Sequence, residues 1–174
     1  MKRYALYTIG LVAIGLAGNQ GYNLWVKPQP VPAVSFATIN GEQFTSADLR
    51  GKVVLINFWA TSCVICVQEM PEITTTYERF KSRGFETIAV AMSYDPPNYV
   101  VRYAEKNRLP FKVALDIQGR LAREFGNVQL TPTTFVVDKR GTIVARYIGA
   151  PNFADLHKLL EEKLSEKSAE ATPT

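Results

Sequence analysis

Val53-Val54-Leu55-Ile56-Asn57-Phe58 is a nearly unbroken apolar and β-branched run, and Cys63-Val64-Ile65-Cys66 follows it at once. A run without alternation suits a strand covered on both faces, as in a parallel sheet. Beyond the cysteines, Met70, Ile73, Tyr77 and Phe80 recur at helical spacing up to Gly84, which predicts an amphipathic helix with a glycine stop. Two cysteines three apart therefore stand where a strand gives way to a helix. A helix N-terminus exposes unpaired N–H groups and a partial positive charge, and both favour a thiolate over a thiol. The thiolate is the species that attacks a disulfide. Cys66, one turn along, is placed to reach Cys63 and resolve a mixed disulfide.

Two plainer uses of the pair fit less well. A purely structural disulfide closing so short a loop contributes only about 1.9 kcal/mol, little for a domain of this size. A zinc site needs two further ligands, and His157 is the one histidine in the chain. His157 reads as a surface residue of the last helix, and the chain is expected to work without metal or cofactor.

The predicted domain spans residues 33–165. Thr87 to Met92 reads as a second buried strand, and the stretch between Pro97 and Pro110 as a helix. Thr133–Val137 and Thr142–Ile148 read as a hairpin turning through Asp138-Lys139-Arg140-Gly141. Phe153 to Leu164 reads as a helix with Leu156, Leu159, Leu160 and Leu164 inward. Strand and helix alternate, then a hairpin and a helix close the chain: an α/β fold with a central mixed sheet flanked by helices. Residues 166–174 read as a disordered tail. Thr131-Pro132 precedes a strand, where the residues alone favour a trans proline.

Residues 1–26 hold Lys2 and Arg3, no acid, and fifteen uncharged residues from Tyr4 to Gly18. Two readings stay open: a cleaved signal peptide, or an uncleaved anchor over residues 4–26 with Trp25 at the interface. Both export the domain C-terminal to the segment. The expected location is thus a single N-terminal span in the cytoplasmic membrane with the domain facing the periplasm or cell exterior; after cleavage it would be soluble periplasm. No cysteine follows Gly18 for lipidation. Residues 27–32 (Lys-Pro-Gln-Pro-Val-Pro) read as a semi-rigid spacer. The net charge is +4, and without the two N-terminal cations the remainder is nearly neutral. No nucleic-acid partner is implied.

The run from Gly51 to Cys66, Glu69-Met70-Pro71, Pro132-Thr133-Thr134-Phe135, Asp138-Lys139-Arg140-Gly141, and the entry Phe36 to Leu49 with its Asn40-Gly41 turn together resemble the TlpA/ResA-like branch of the thioredoxin superfamily. The likeness covers roughly residues 32–165. It implies a thioredoxin-like fold with extra N-terminal strands and an insertion around Asp95 to Phe111. It implies that Pro132 is cis beside the dithiol, that Thr131 offers backbone groups to a substrate strand, and that Trp59 shares the substrate-binding surface. Cys63, Cys66 and Glu69 would be the catalytic residues, with Cys63 and Cys66 cycling through a disulfide. Glu69 matches the branch's buried acid, while Asn57 stands where thioredoxins carry an aspartate. Val64-Ile65 lacks the usual proline before the second cysteine, and Ser62 replaces the usual tryptophan before the first. Members reduce disulfides of exported proteins, often in cytochrome c or copper-site maturation, with electrons from a thiol-transporting membrane donor.

Two other classes compete. A peroxidase of the peroxiredoxin type needs Pro-x-x-x-Thr-x-x-Cys, but Thr61 lies only two residues before Cys63. A copper carrier of the Sco type needs one more residue between the cysteines.

Overall fold

The computed structural model describes residues 29–166. Its centre is β4 (Val53–Trp59), every residue of which is buried. The strand alternates between two cores. Val53, Leu55 and Trp59 enter one, and Val54, Ile56 and Phe58 enter the other. That is the reason the run lacks a polar face. β4 pairs in parallel with β5 (Phe85–Ala91) and antiparallel with β7 (Thr133–Val137). β1 (Gln29–Pro30), β8 (Thr142–Ile148) and β6 (Lys112–Leu115) complete a six-stranded mixed sheet ordered β1-β8-β7-β4-β5-β6.

One face of the sheet is covered by α1 (Val64–Phe80), α2 (Pro97–Lys106) and α4 (Phe153–Ser165), which bury Met70, Ile73, Val100, Leu156 and Leu160. On the other face lie α3 (Arg120–Glu124) and the hairpin of β2 (Ser35–Ala37) and β3 (Gln43–Thr45). In that hairpin Phe36 stacks on Phe44 at 5.0 Å. Gly41, at φ 80°, makes the Asn40-Gly41 turn that a side chain would strain. The extra N-terminal strands and the inserted helix thus stand where expected, and the fold is thioredoxin-like.

Several boundaries differ from the sequence reading. The second strand begins at Phe85, because Gly84, at φ 87°, ends the preceding turn and releases an extended chain. Leu159 is half-buried at the edge of the core rather than inside it. Residues 29–32 are not wholly a spacer. Gln29 and Pro30 pair with Ile143 and Thr142, and Val31 N–H donates to the Gly141 carbonyl at 2.8 Å. Proline is accepted because β1 is an edge strand that need not donate outward. Among the described residues no helix is long and apolar enough to cross a membrane. The 1–26 segment and the 167–174 tail lie outside those residues.

Candidate active site

Cys63 is the N-cap of α1, and its sulfur accepts from the Cys66 N–H at 3.2 Å. No acidic residue occupies the first turn, so nothing there opposes the positive end of the helix. Cys63 and Cys66 form a disulfide across a Cα–Cα distance of 5.3 Å. The two sulfurs are not equivalent to a visitor. Cys63 is partly exposed, whereas Cys66 is wholly buried. Val64 and Ile65 between them are 69% and 50% exposed, which makes the surface over the disulfide apolar.

Glu69 lies one turn beyond Cys66 and is buried at 4% exposure. Its Oε1 accepts from Asn57 Nδ2 at 2.9 Å, and the same amide donates to Thr134 Oγ1 at 2.9 Å. Its other oxygen, Oε2, is buried and without a partner among the described residues. Burial disfavours the carboxylate and pushes the Glu69 pKa up to about 7, against the opposing bond from Asn57. Asn57 is therefore more than a replaced aspartate: it orients the acid. Thr134, directly opposite Asn57 in the β4–β7 register, completes this buried chain and was not singled out from sequence. A threonine in a fully buried strand was its signal.

The Thr131–Pro132 peptide is cis, which corrects the trans proline favoured by the residues alone and agrees with the family resemblance. One register step beyond the Phe58–Thr133 pair, Pro132 sits at the Cys63 end of the sheet. Its carbonyl accepts from Gly149 N–H at 2.8 Å. Neither backbone group of Thr131 is hydrogen-bonded among the described residues, and its hydroxyl lies 3.2 Å from that of Tyr94.

Trp59 does not line this surface. It is completely buried, with its ring 5.1 Å from that of Tyr103, so it offers a substrate no contact here. The reason is strand parity: Trp59 shares the Val53 and Leu55 face of β4, which α1 and α2 cover. His157 corrects another expectation. It is half-buried, edge-on to Phe80 at 5.6 Å. Thr76 gives its hydroxyl proton to the Glu72 carbonyl, so His157 Nε2–H donates to Thr76 at 2.8 Å. Burial and nearby Arg79 hold its pKa below the ordinary value. One more residue came unannounced: buried Asp95 accepts from Thr61 N–H and Thr61 Oγ1, both at 2.6 Å, and fixes the turn that leads to Cys63.

An asymmetric Cys-x-x-Cys at a helix N-terminus, a cis proline at the same sheet end, and a buried acid below define a thioredoxin-fold thiol–disulfide oxidoreductase. The redoxin family model matches residues 27–160. Thiol-disulfide oxidoreductase ResA of Geobacillus kaustophilus is 33% identical over 130 residues, which cover 75% of this chain and 74% of the relative. Thioredoxin-like protein YneN of Bacillus subtilis is 29% identical, with 87% and 95% covered. Among solved structures, a thiol:disulfide interchange protein of the thioredoxin family from Chlorobium tepidum superposes with a TM-score of 0.72 at 29% identity. That match covers 80% of this chain and 99% of the other. The chain belongs to the redoxin family and, within it, to the TlpA/ResA group of thiol–disulfide oxidoreductases.

Proposed function

We propose that the protein reduces disulfides of extracytoplasmic proteins, held to the cytoplasmic membrane through residues 4–26 and recharged by a thiol-transporting membrane donor. Proteins awaiting cytochrome c or copper-site assembly are the substrate class the family suggests. In this reading the Cys63 thiolate attacks a substrate disulfide, and the first substrate sulfur leaves as a thiolate that takes a proton from water. Cys66 passes its proton to Glu69 Oε2 and attacks Cys63 Sγ. The second substrate sulfur leaves, the Cys63–Cys66 bond forms, and the substrate gains two electrons. Thr131, whose backbone groups are unbonded among the described residues, aligns the incoming chain beside Pro132.

The observation that carries the reductant direction is the uncharged pair Val64-Ile65 between the cysteines. A dithiol oxidises others when its thiolate form is specially stabilised. Neither side chain can donate to a thiolate, which leaves mainly the helix N-terminus, worth about 0.3–1 kcal/mol at an exposed site. At about 30 mV per 1.4 kcal/mol that moves the potential little. Titration against a dithiothreitol buffer is expected to give a value nearer to about −270 mV than to about −120 mV. A potential above about −180 mV would favour disulfide formation or shuffling instead.

Export makes a separate prediction. With Lys2 and Arg3 retained inside, a reporter fused after Thr174 should be active only if it functions outside the cytoplasm. Strong cytoplasmic activity would refute the tethered and the cleaved forms together.

The competing classes find less support in the geometry. Thr61 gives its hydroxyl to Asp95 and does not present it to a peroxide. His157 is bound to Thr76, ten residues and so about 15 Å along α1 from Cys66, out of reach of a metal held by the cysteines.

A further inference from the structure

Beside the turn that carries Cys63 runs a shallow groove of about 280 Å³, lined by Thr61 and by Tyr99, Arg102, Tyr103 and Lys106 of α2. The four α2 residues are spaced 3, 1 and 3, which puts them on one helical face. Arg102 and Lys106 are exposed, and neither has an ion pair or a side-chain hydrogen bond among the described residues. Two carboxylates stand near in sequence, and neither neutralises the groove. Asp95 is buried and committed to Thr61. Glu105 is exposed, three residues on from Arg102, and makes no ion pair with either cation among the described residues.

We infer that this face of α2 is a docking surface for acidic polypeptide, and that it selects disulfide substrates with carboxylates near the reacting cysteine. The inference rests on the reading that Cys63 attacks protein disulfides. Charge complementarity argues for the occupant: two cations unpaired among the described residues, one of them a planar fork suited to a carboxylate, alternate with two tyrosines. Tyr and Arg are the residues that anchor protein contacts most often. Continuity with the site argues for the place. Thr61 belongs both to the groove and to the Ala60–Cys63 turn, where Cys63 N–H donates to the Ala60 carbonyl at 3.1 Å. A chain joined to Cys63 can therefore extend from the Thr131–Pro132 side over this turn onto α2. Tyr103 is braced against Trp59, so burial of Trp59 supports this surface from below.

The test uses the reduced protein and peptides whose single cysteine is capped by mercaptoethanol, with glutamate, glutamine or lysine around that cysteine. The glutamate peptide should be reduced with a kcat/KM about three- to tenfold above the glutamine peptide at low salt, converging as salt rises. In the R102Q/K106Q protein the two should become equal, and in R102E/K106E the lysine peptide should lead. Lys158→Gln removes a cation on α4, which packs on the opposite flank of α1, and should keep the preference; its loss there would assign the effect to net charge and overturn the local surface. A cysteine-free glutamate peptide, added to the oxidised protein, should shift the NMR signals of Tyr99, Arg102, Tyr103 and Lys106. Absence of those shifts, or equal reduction of all peptides, overturns the proposal. Intact binding without reduction of any peptide would overturn the reductase reading and leave the surface standing.

Discussion

Replacing Cys66 by alanine is expected to stop turnover completely while leaving the first chemical step intact. The reduced variant should accumulate on Cys63 as a mixed disulfide with its partner, visible as a heavier species that dithiothreitol releases. The asymmetry of the pair gives the reason. Cys63 is open and sits where the helix N-terminus stabilises its thiolate, and the Cys66 N–H already points at its sulfur. Cys66 is sealed in the core, so it can meet Cys63 but not a large partner. Cys63→Ala should accordingly trap nothing. Adducts on Cys66 in that variant, or rapid alkylation of Cys66 before Cys63 in the reduced protein, would reverse the assignment. Mass spectrometry of the trapped species would also name the partner.

The parts of this molecule that could be read from the chain are those in which cause and effect are close in sequence. β4 announces itself because both of its faces are buried, and the β7–β8 hairpin because Asp138 to Gly141 supplies turn chemistry between two apolar runs. The dithiol lies at a strand-to-helix junction, which is where the helix N-terminus can act on it. Short elements left no period to detect: β6 has four residues and α3 five. β1 was hidden by the prolines in and around it, which suit an extended spacer and an edge strand equally well. The burial of Trp59 was not legible, because the strand runs one residue past the apolar run, to Trp59, and the cover comes from Tyr103, 44 residues on. The contacts that finish the site were not legible. Asp95 reaches Thr61 across 34 residues, Tyr94 reaches Thr131 across 37, and Asn57 reaches Thr134 across 77. Each joins segments that only the folded sheet brings together, and none has a local signature beyond a polar residue in a buried or turn position.

Glu69→Gln is expected to separate proton transfer from packing, because the two side chains are nearly isosteric and glutamine Oε1 can keep the bond from Asn57. Reduction of a substrate should proceed to the mixed disulfide at a normal rate, while resolution by Cys66 slows by about a hundredfold near neutral pH, the scale of a lost general base. The inflection near pH 7 that Glu69 imposes should vanish from the resolution rate. Stability gives an independent readout with a definite sign. The folded pKa of Glu69 is about 7 against an ordinary 4.5, so between those values the native state holds a proton that the unfolded chain releases. Native stability from this group is fully present below about pH 4.5 and is lost as pH rises through about 7, by as much as about 3 kcal/mol. Glutamine cannot ionise, so the variant avoids this loss. Urea unfolding of the oxidised proteins should show the variant close to wild type at low pH and more stable than wild type at pH 8. A stability difference independent of pH would mean that Glu69 carries its charge without penalty despite its burial. A slowed resolution step with no loss of its pH inflection would mean that another group takes the Cys66 proton.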